Sequence, residues 1–283
     1  MTAGERKLLQ SFEKALESQK LRIVYQPKIS LRDGRLTRVE ALVRWDDPDM
    51  GAVSPSRFVP LAERHGLIDP LTEWGLRTTL RQWRTWRDQG LETRLAFNIS
   101  AISLERLDFP DLVERLCRAI GVPTDRLVLE LTEGATQKLV KLMDTLTRFR
   151  IKGMGLAIDD FGTGYSSLLQ LRQLPFTEVK IDRCFVADLP SAHDSRLIVR
   201  AIVELAHGLG LVATAEGVET IEQLRCVREL GCDVVQGFLI SPPLEADELI
   251  AWEKDFKRRW PDLLSDEALE LWADVETNTL SEG

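Results

Sequence analysis

The chain has 283 residues, 44% of them hydrophobic and 29% charged, with a formal net charge of −8. This is the composition of an ordinary soluble globular protein; its acidity argues against a basic face for nucleic-acid polymers, and no apolar stretch approaches the roughly 20 residues that span a bilayer. Met1 to Lys20 lacks the apolar core of a secretion signal, and Cys117, Cys184, Cys226 and Cys232 include no CxxC pair, so buried thiols in a reducing cytoplasm are expected in place of disulfides.

Residues 1–20 read as a polar helical lead-in. Leu21–Leu31 and Arg35–Trp45 are strand-like runs flanking Asp33-Gly34. Asp-Gly between two such runs predicts a hairpin, hence an antiparallel pair. Ser54-Pro55 reads as a helix cap with proline in the first turn, opening a helix through Ala62. A longer helix is expected from Pro70 to Asp88, stopping near Gly90. Strands and helices then alternate. Strand-like runs fall at Arg94–Ile99, Leu127–Thr132, Gly155–Asp159, Glu178–Asp182, Leu211–Ala215 and Asp233–Gln236, and helical patterns at Asp111–Ile120, Gln137–Phe149, Arg196–Leu209 and Thr220–Leu230. Eight strands with helical crossovers predict an α/β fold, a TIM-like (β/α)8 barrel whose first strand runs antiparallel to the others. Periodicity does not show closure, so a doubly wound open sheet is also compatible with the pattern. No linker or repeat interrupts the alternation; the barrel is expected over 21–260, with 261–283 a trailing helix and acidic tail.

The informative residues are acids and amides at strand ends. Glu40, Asn98, Glu130, Asp159, Asp160, Lys180, Glu216 and Gln236 each lie in, or just past, a short apolar run. Oxygen donors gathered at one mouth of a barrel suit a divalent-metal enzyme. Asp159-Asp160 is the sharpest signal. Neighbours in a strand face opposite ways, so both serve one site only if the strand ends at Asp159 and Phe161-Gly162-Thr163-Gly164 turns at once; a solvated turn is the alternative. Glu40 and Glu130 are either paired or metal-bound within their apolar surroundings, or they face solvent. Asn98 is a neutral ligand or a core amide. Lys180, the one cation expected to face the cluster, either orients or deprotonates a water molecule or makes a structural ion pair with an acid. Glu133, outside the strand, reads as a loop anchor. His65, His193 and His207 fall in helices or a loop. An oxygen-only donor set favours Mg2+ or Mn2+ over Zn2+.

At these residues the chain resembles the EAL family of cyclic di-GMP phosphodiesterases. The resemblance rests on Tyr25-Gln26-Pro27, Glu40-Ala41-Leu42-Val43-Arg44, Phe97-Asn98-Ile99-Ser100, Glu130-Leu131-Thr132-Glu133, Asp159-Asp160-Phe161-Gly162-Thr163-Gly164-Tyr165-Ser166-Ser167, Lys180-Ile181-Asp182, Glu216-Gly217-Val218-Glu219 and Gln236-Gly237-Phe238. All stand in this order within about residues 10–256. The resemblance implies a barrel with a reversed strand and hydrolysis of cyclic di-GMP to linear pGpG with two Mg2+ or Mn2+ ions. By the family pattern, Glu40, Asn98, Glu130 and Asp159 would hold one ion, and Asp159, Asp160 and Glu216 the second. Lys180, Glu216 and Glu40 would serve catalysis; Gln26, Leu42, Arg44, Asp182 and Gln236 would contact substrate. Glu133 would brace the loop from Asp160 to Ser167, and a homodimer is expected. Ca2+ should inhibit a site that needs compact octahedral geometry. Pro242 stands where many members carry a basic residue, so one contact to base or phosphate is expected to be missing.

Two other functions are compatible with such a barrel. One is a non-catalytic cyclic di-GMP receptor, in which degraded metal ligands or a degraded Asp-Asp-Phe-Gly loop would be expected; none is degraded here. The other is an unrelated Mg2+-dependent enzyme, such as a proton-abstracting lyase using Lys180.

Overall fold

The structure, a computed structural model, describes residues 2–18, 20–132, 142–163 and 168–263. Glu133, residues 164–167 of the glycine loop, the start of the helix expected from Gln137, and the tail from 264 onward lie outside the described residues.

The strands are β1 (Leu21–Ser30), β2 (Leu36–Asp47), β3 (Gly51–Val53), β4 (Arg94–Asn98), β5 (Leu127–Thr132), β6 (Gly155–Phe161), β7 (Glu178–Ile181), β8 (Val212–Ala215) and β9 (Val234–Val235). β2, β4, β5, β6, β7, β8 and β9 pair in parallel, in that order. β1 pairs antiparallel with both β2 and β9, which closes an eight-strand ring. The barrel reading therefore holds, and the open sheet is excluded. β3, which the sequence pattern did not suggest, is a short antiparallel addition to the far end of β2.

The hairpin between β1 and β2 turns where Asp33-Gly34 predicted. Gly34 takes a positive φ of 67°, and the indole of Trp260, from helix Leu249–Leu263, packs where a β-carbon would stand. That helix carries Pro261 within it, so it begins earlier than the trailing helix expected after this proline. Local signals set the other helices. Ser54 accepts from the Ser56 amide to start Pro55–Arg64. Thr220 and Gln223 form a reciprocal capping box before Ile221–Glu229. Gly121, at φ 83°, ends Phe109–Ile120. The lead-in helix Ala3–Glu17 seats Phe12 against Trp45 and Phe58, with ring centroids 5.3 and 5.2 Å away.

Alternation along the strands sorts the residues into two environments. Leu127, Leu129 and Leu131 of β5, Leu156 and Ile158 of β6, and Val179 and Ile181 of β7 join the apolar layer beneath the helices, where Trp83 and Trp86 are also buried. Many of the residues on the other strand face are polar. Lys28, Arg38, Glu40, Glu130, Asp159, Glu178, Lys180 and Thr214 are all buried. The hydrophobic core is thus a sleeve around the barrel, and much of the lumen is charged, where barrels of this type usually stack branched aliphatic side chains. The four cysteines are free; Cys184 is exposed, contrary to the expectation of burial, because it lies in the short helix Arg183–Ala187 at the mouth.

Gly237 follows the last strand at a close crossing. A β-carbon there would lie 2.0 Å from the Val218 carbonyl oxygen and 2.3 Å from its nitrogen. The Val218 amide also donates to the Gln236 carbonyl at 3.1 Å. Gly237→Ala should therefore destabilise the fold by roughly 1–3 kcal/mol, the usual cost of overpacking. Calorimetry should show a lowered melting temperature; an unchanged one would contradict the crossing.

Candidate metal centre at the barrel mouth

β6 supplies two adjacent acids by a route different from the one anticipated. The strand does not stop at Asp159 but continues through Phe161. Between Ile158 and Phe161 its register against β7 shifts, three steps on β6 matching two on β7. Asp160 occupies the left-handed region at φ 55°, alone among the described non-glycine residues. Such a bulge interrupts the two-residue alternation. Consequently Asp159 and Asp160, together with Glu216 just past β8, bring carboxylate oxygens within 4.8 Å of one another. Aspartate tolerates this backbone better than most residues, and the Asp160 carbonyl oxygen is held by the Thr163 hydroxyl at 2.8 Å.

Two ammonium groups anchor the remaining acids. The Lys180 Nζ lies 2.7 Å from Glu130, 2.8 Å from Asp159, 2.8 Å from Glu216 and 3.7 Å from Glu40. The Lys28 Nζ lies 2.5 Å from Glu130 and 3.3 Å from Glu40. Glu40 and Glu130 are therefore buried and paired, which removes their solvent-facing reading, and Lys180 makes the ion pairs that were one of its two readings. Lys180 is not the sole cation facing the cluster, as the sequence suggested. Lys28 was missed, although it stands two residues beyond Gln26 on the same face of β1, a signal the strand period carries.

Amides complete the ring. Asn98, exposed at the mouth, donates to Glu40 at 2.7 Å. Gln236 donates to Glu40 and to Gln26, at 3.0 Å each, and Gln26 donates to the Ser241 carbonyl oxygen at 3.2 Å. Gln26, Glu40, Asp159, Asp160, Lys180, Asp182, Glu216 and Gln236 share one cavity of about 320 Å3. Arg183 and Glu219 also line it; neither was singled out as a site residue from the sequence. Leu42 and Arg44 do not line this acid cavity. They border an adjoining, more apolar cavity of about 270 Å3 that Asn98 also lines. Asp182 accepts from the Cys184 amide at 2.8 Å, capping the short helix that follows β7.

The electrostatics show a shortage of positive charge. Burial opposes the ionisation of Glu40, but Lys180, Lys28, and the amides of Gln236 and Asn98 overcome it and hold this carboxyl well below the usual range. Burial likewise opposes the charge on Lys180, and the carboxylates of Glu130, Glu216, Glu40 and Asp159 outweigh it, raising its pKa well above the ordinary value. Glu216 is pushed up to about 8 by burial, with the charges of Asp159 and Glu40 adding to it and Lys180 only partly compensating. Asp160 rises to about 6 through burial and its neighbours Asp159 and Asp182. Two ammonium groups, Lys28 and Lys180, cannot satisfy the five carboxylates of Glu40, Glu130, Asp159, Asp160 and Glu216. Oxygen donors that lack counter-charge fit a hard divalent cation, and Asp159, Asp160 and Glu216 are arranged so that they could hold one.

A pH dependence follows for the metal-free protein. Folded Glu216 keeps its proton to about pH 8, whereas an unperturbed glutamate loses it near 4.5. Over that window the folded state binds more protons than the unfolded, so stability falls as pH rises. Metal-free protein should melt at progressively lower temperature from about pH 5 to pH 8, and Glu216→Gln should flatten the slope. A flat profile in the parent chain would refute the charge imbalance.

Comparison with known proteins agrees with this geometry. The EAL domain family matches residues 9–243. Cyclic di-GMP phosphodiesterase PA2567 of Pseudomonas aeruginosa is 40% identical over 247 residues, covering 87% of this chain and 42% of that protein. The bifunctional diguanylate cyclase/cyclic di-GMP phosphodiesterase MucR of the same organism is 41% identical over 246 residues, covering 86% of this chain and 36% of that one. The chain thus spans less than half the length of these curated relatives. The solved structure of the PaMucR phosphodiesterase in complex with c-di-GMP superposes with a TM-score of 0.82 at 40% identity, covering 86% of this chain and 99% of that chain. The FimX EAL domain of Pseudomonas aeruginosa bound to c-di-GMP, at 23% identity and a TM-score of 0.77, shares the fold. With its barrel, its strand-end acids and its family match in agreement, this chain belongs to the EAL domain family.

Proposed function

We propose that the chain is a divalent-metal-dependent phosphodiesterase that hydrolyses one phosphodiester bond of cyclic di-GMP, giving linear pGpG. The observation that supports this reading is the grouping of Asp159, Asp160 and Glu216 within 4.8 Å of one another, with Glu40 and Glu130 tied to them through Lys180 and Asn98 bonded to Glu40. Glu40, Asn98, Glu130 and Asp159 would hold one Mg2+ or Mn2+ ion, and Asp159, Asp160 and Glu216 a second. Bound there, such ions neutralise phosphate charge and acidify water.

The chain's own residues do the positioning. Lys180, kept protonated by its carboxylate partners, donates hydrogen bonds and can orient an attacking water by them. Gln236 fixes the Glu40 carboxylate from one side and Asn98 from the other. Arg44, half-buried and without an acid partner among the described residues, is suited to a substrate phosphate. Leu42 lines the apolar cavity beside it, so a dinucleotide with one phosphate over the acids can extend a base there. Gln26 and Asp182 border the same path. A cytoplasmic address and a homodimer belong to this reading; Leu107 and Ile151 are exposed apolar side chains that such contact would cover.

Incubation with cyclic di-GMP and Mn2+ or Mg2+ should yield pGpG, and a chelator should abolish it. Binding without hydrolysis would instead identify a receptor. Glu40→Ala should keep the fold but lose at least about 100-fold in turnover, beyond the loss typical of an outer-sphere partner; near-normal turnover would overturn the ligand assignment. Ca2+, which prefers more ligands at longer distances, should support little hydrolysis and compete with Mg2+ in the same assay. Vigorous turnover with Ca2+ alone would contradict the compact site.

A further inference from the structure

The opposite end of the barrel carries the reverse charge. Here the starts of β2, β4, β8 and β9 and the end of β1 surround an open cavity of about 920 Å3. Arg32, Arg38, Arg94, Arg126 and Arg228 line it, in a chain whose net charge is −8. Its two acids are already engaged. Glu92 lies 3.7 Å from Arg126. Asp233 lies 3.0 Å from His207 and accepts from the Ala213 amide at 2.8 Å. Arg32, Arg94 and Arg228 make no ion pair among the described residues.

Arg38 adds a buried positive charge beneath this surface. It is 6% exposed, on the lumen side of β2, and its Nη1 is bound to Glu178. Its Nε is a buried donor with no partner among the described residues. An unpaired buried donor of this kind is destabilising. Arg38 is also in register with Arg94 on the neighbouring strand, and like charges facing each other across strands repel. Burial lowers the Arg38 pKa to about 10, with Glu130 opposing and Arg94 adding to the fall. Glu178 also accepts from the Thr214 hydroxyl at 2.5 Å.

We propose that this arginine-lined mouth binds a small phosphate-bearing anion, received by Arg94 and Arg228 above the buried charge of Arg38, at a second site on the far side of the barrel from the acids. Guanidinium groups match phosphate oxygens in geometry as well as charge. An anion here would screen Arg38 from Arg94. The inference does not depend on the reaction assigned to the acidic mouth.

The test uses the full chain stripped of divalent ions on a chelating resin, with inorganic pyrophosphate as the probe. In that state the acidic mouth repels anions, so a bound anion reports the arginine mouth. Calorimetric titration at low salt should show one pyrophosphate per chain. Arg94→Ala and Arg228→Ala, both at exposed positions, should each weaken it by roughly tenfold or more, the loss expected for a charge-assisted bond. Asp160→Asn, at the other mouth, should leave it unchanged. Absence of binding at millimolar pyrophosphate, or binding indifferent to both arginine substitutions, would overturn the proposal.

Discussion

The shared contact between the ammonium groups of Lys28 and Lys180 and the carboxylates around them is what the rest of this molecule depends on. At about 4 Å and an effective dielectric of 20, two like charges repel by about 4 kcal/mol, so acids aimed into one lumen would force the strands apart. Lys28 reaches Glu130 and Glu40, and Lys180 reaches these two together with Asp159 and Glu216. The lysines bring the acids together, but two positive charges do not balance five carboxylates. Burial, with this remainder adding to it, raises the pKa values of Asp160 and Glu216. The centre is thus held in place yet still deficient in cations.

That arrangement explains the division of the core. The lumen is occupied by polar groups, so apolar cohesion comes from the sleeve between strands and helices, where Leu129, Leu156, Val179 and Phe149 are fully buried. A buried ion pair adds little net stability because desolvation offsets attraction. Stability and chemistry therefore lie on opposite faces of the same strands, separated by the alternation of side chains.

Much of this was legible in the sequence. Asp33-Gly34 marked the hairpin that reverses the first strand, and the strand-end addresses of Glu40, Glu130, Asp159, Glu216 and Gln236 marked the mouth. What was not legible has physical causes. The bulge at Asp160 depends on one backbone angle that no local pattern encodes. The sequence suggested a glycine turn because glycine is the usual way out of an extended strand. Lys28 was readable from its spacing to Gln26 but was overshadowed by Lys180. The pairing of Arg38 with Glu178 joins β2 to β7 across 140 residues, and no local periodicity reports a contact made across a lumen. The separation of Arg44 and Leu42 from the acid cavity likewise arises from wall shape, not residue type.

The ring closes only when its first and last strands meet, and the same junction finishes the mouth. Gln236 reaches back to Gln26 and Glu40 over sequence separations of 210 and 196 residues. Contacts of that span form late, since loop closure must precede any reward from them. A nascent polypeptide still threading through a ribosome therefore has its acids but not the amide that seats Glu40. The mouth is completed only when the last barrel strand docks beside the reversed one.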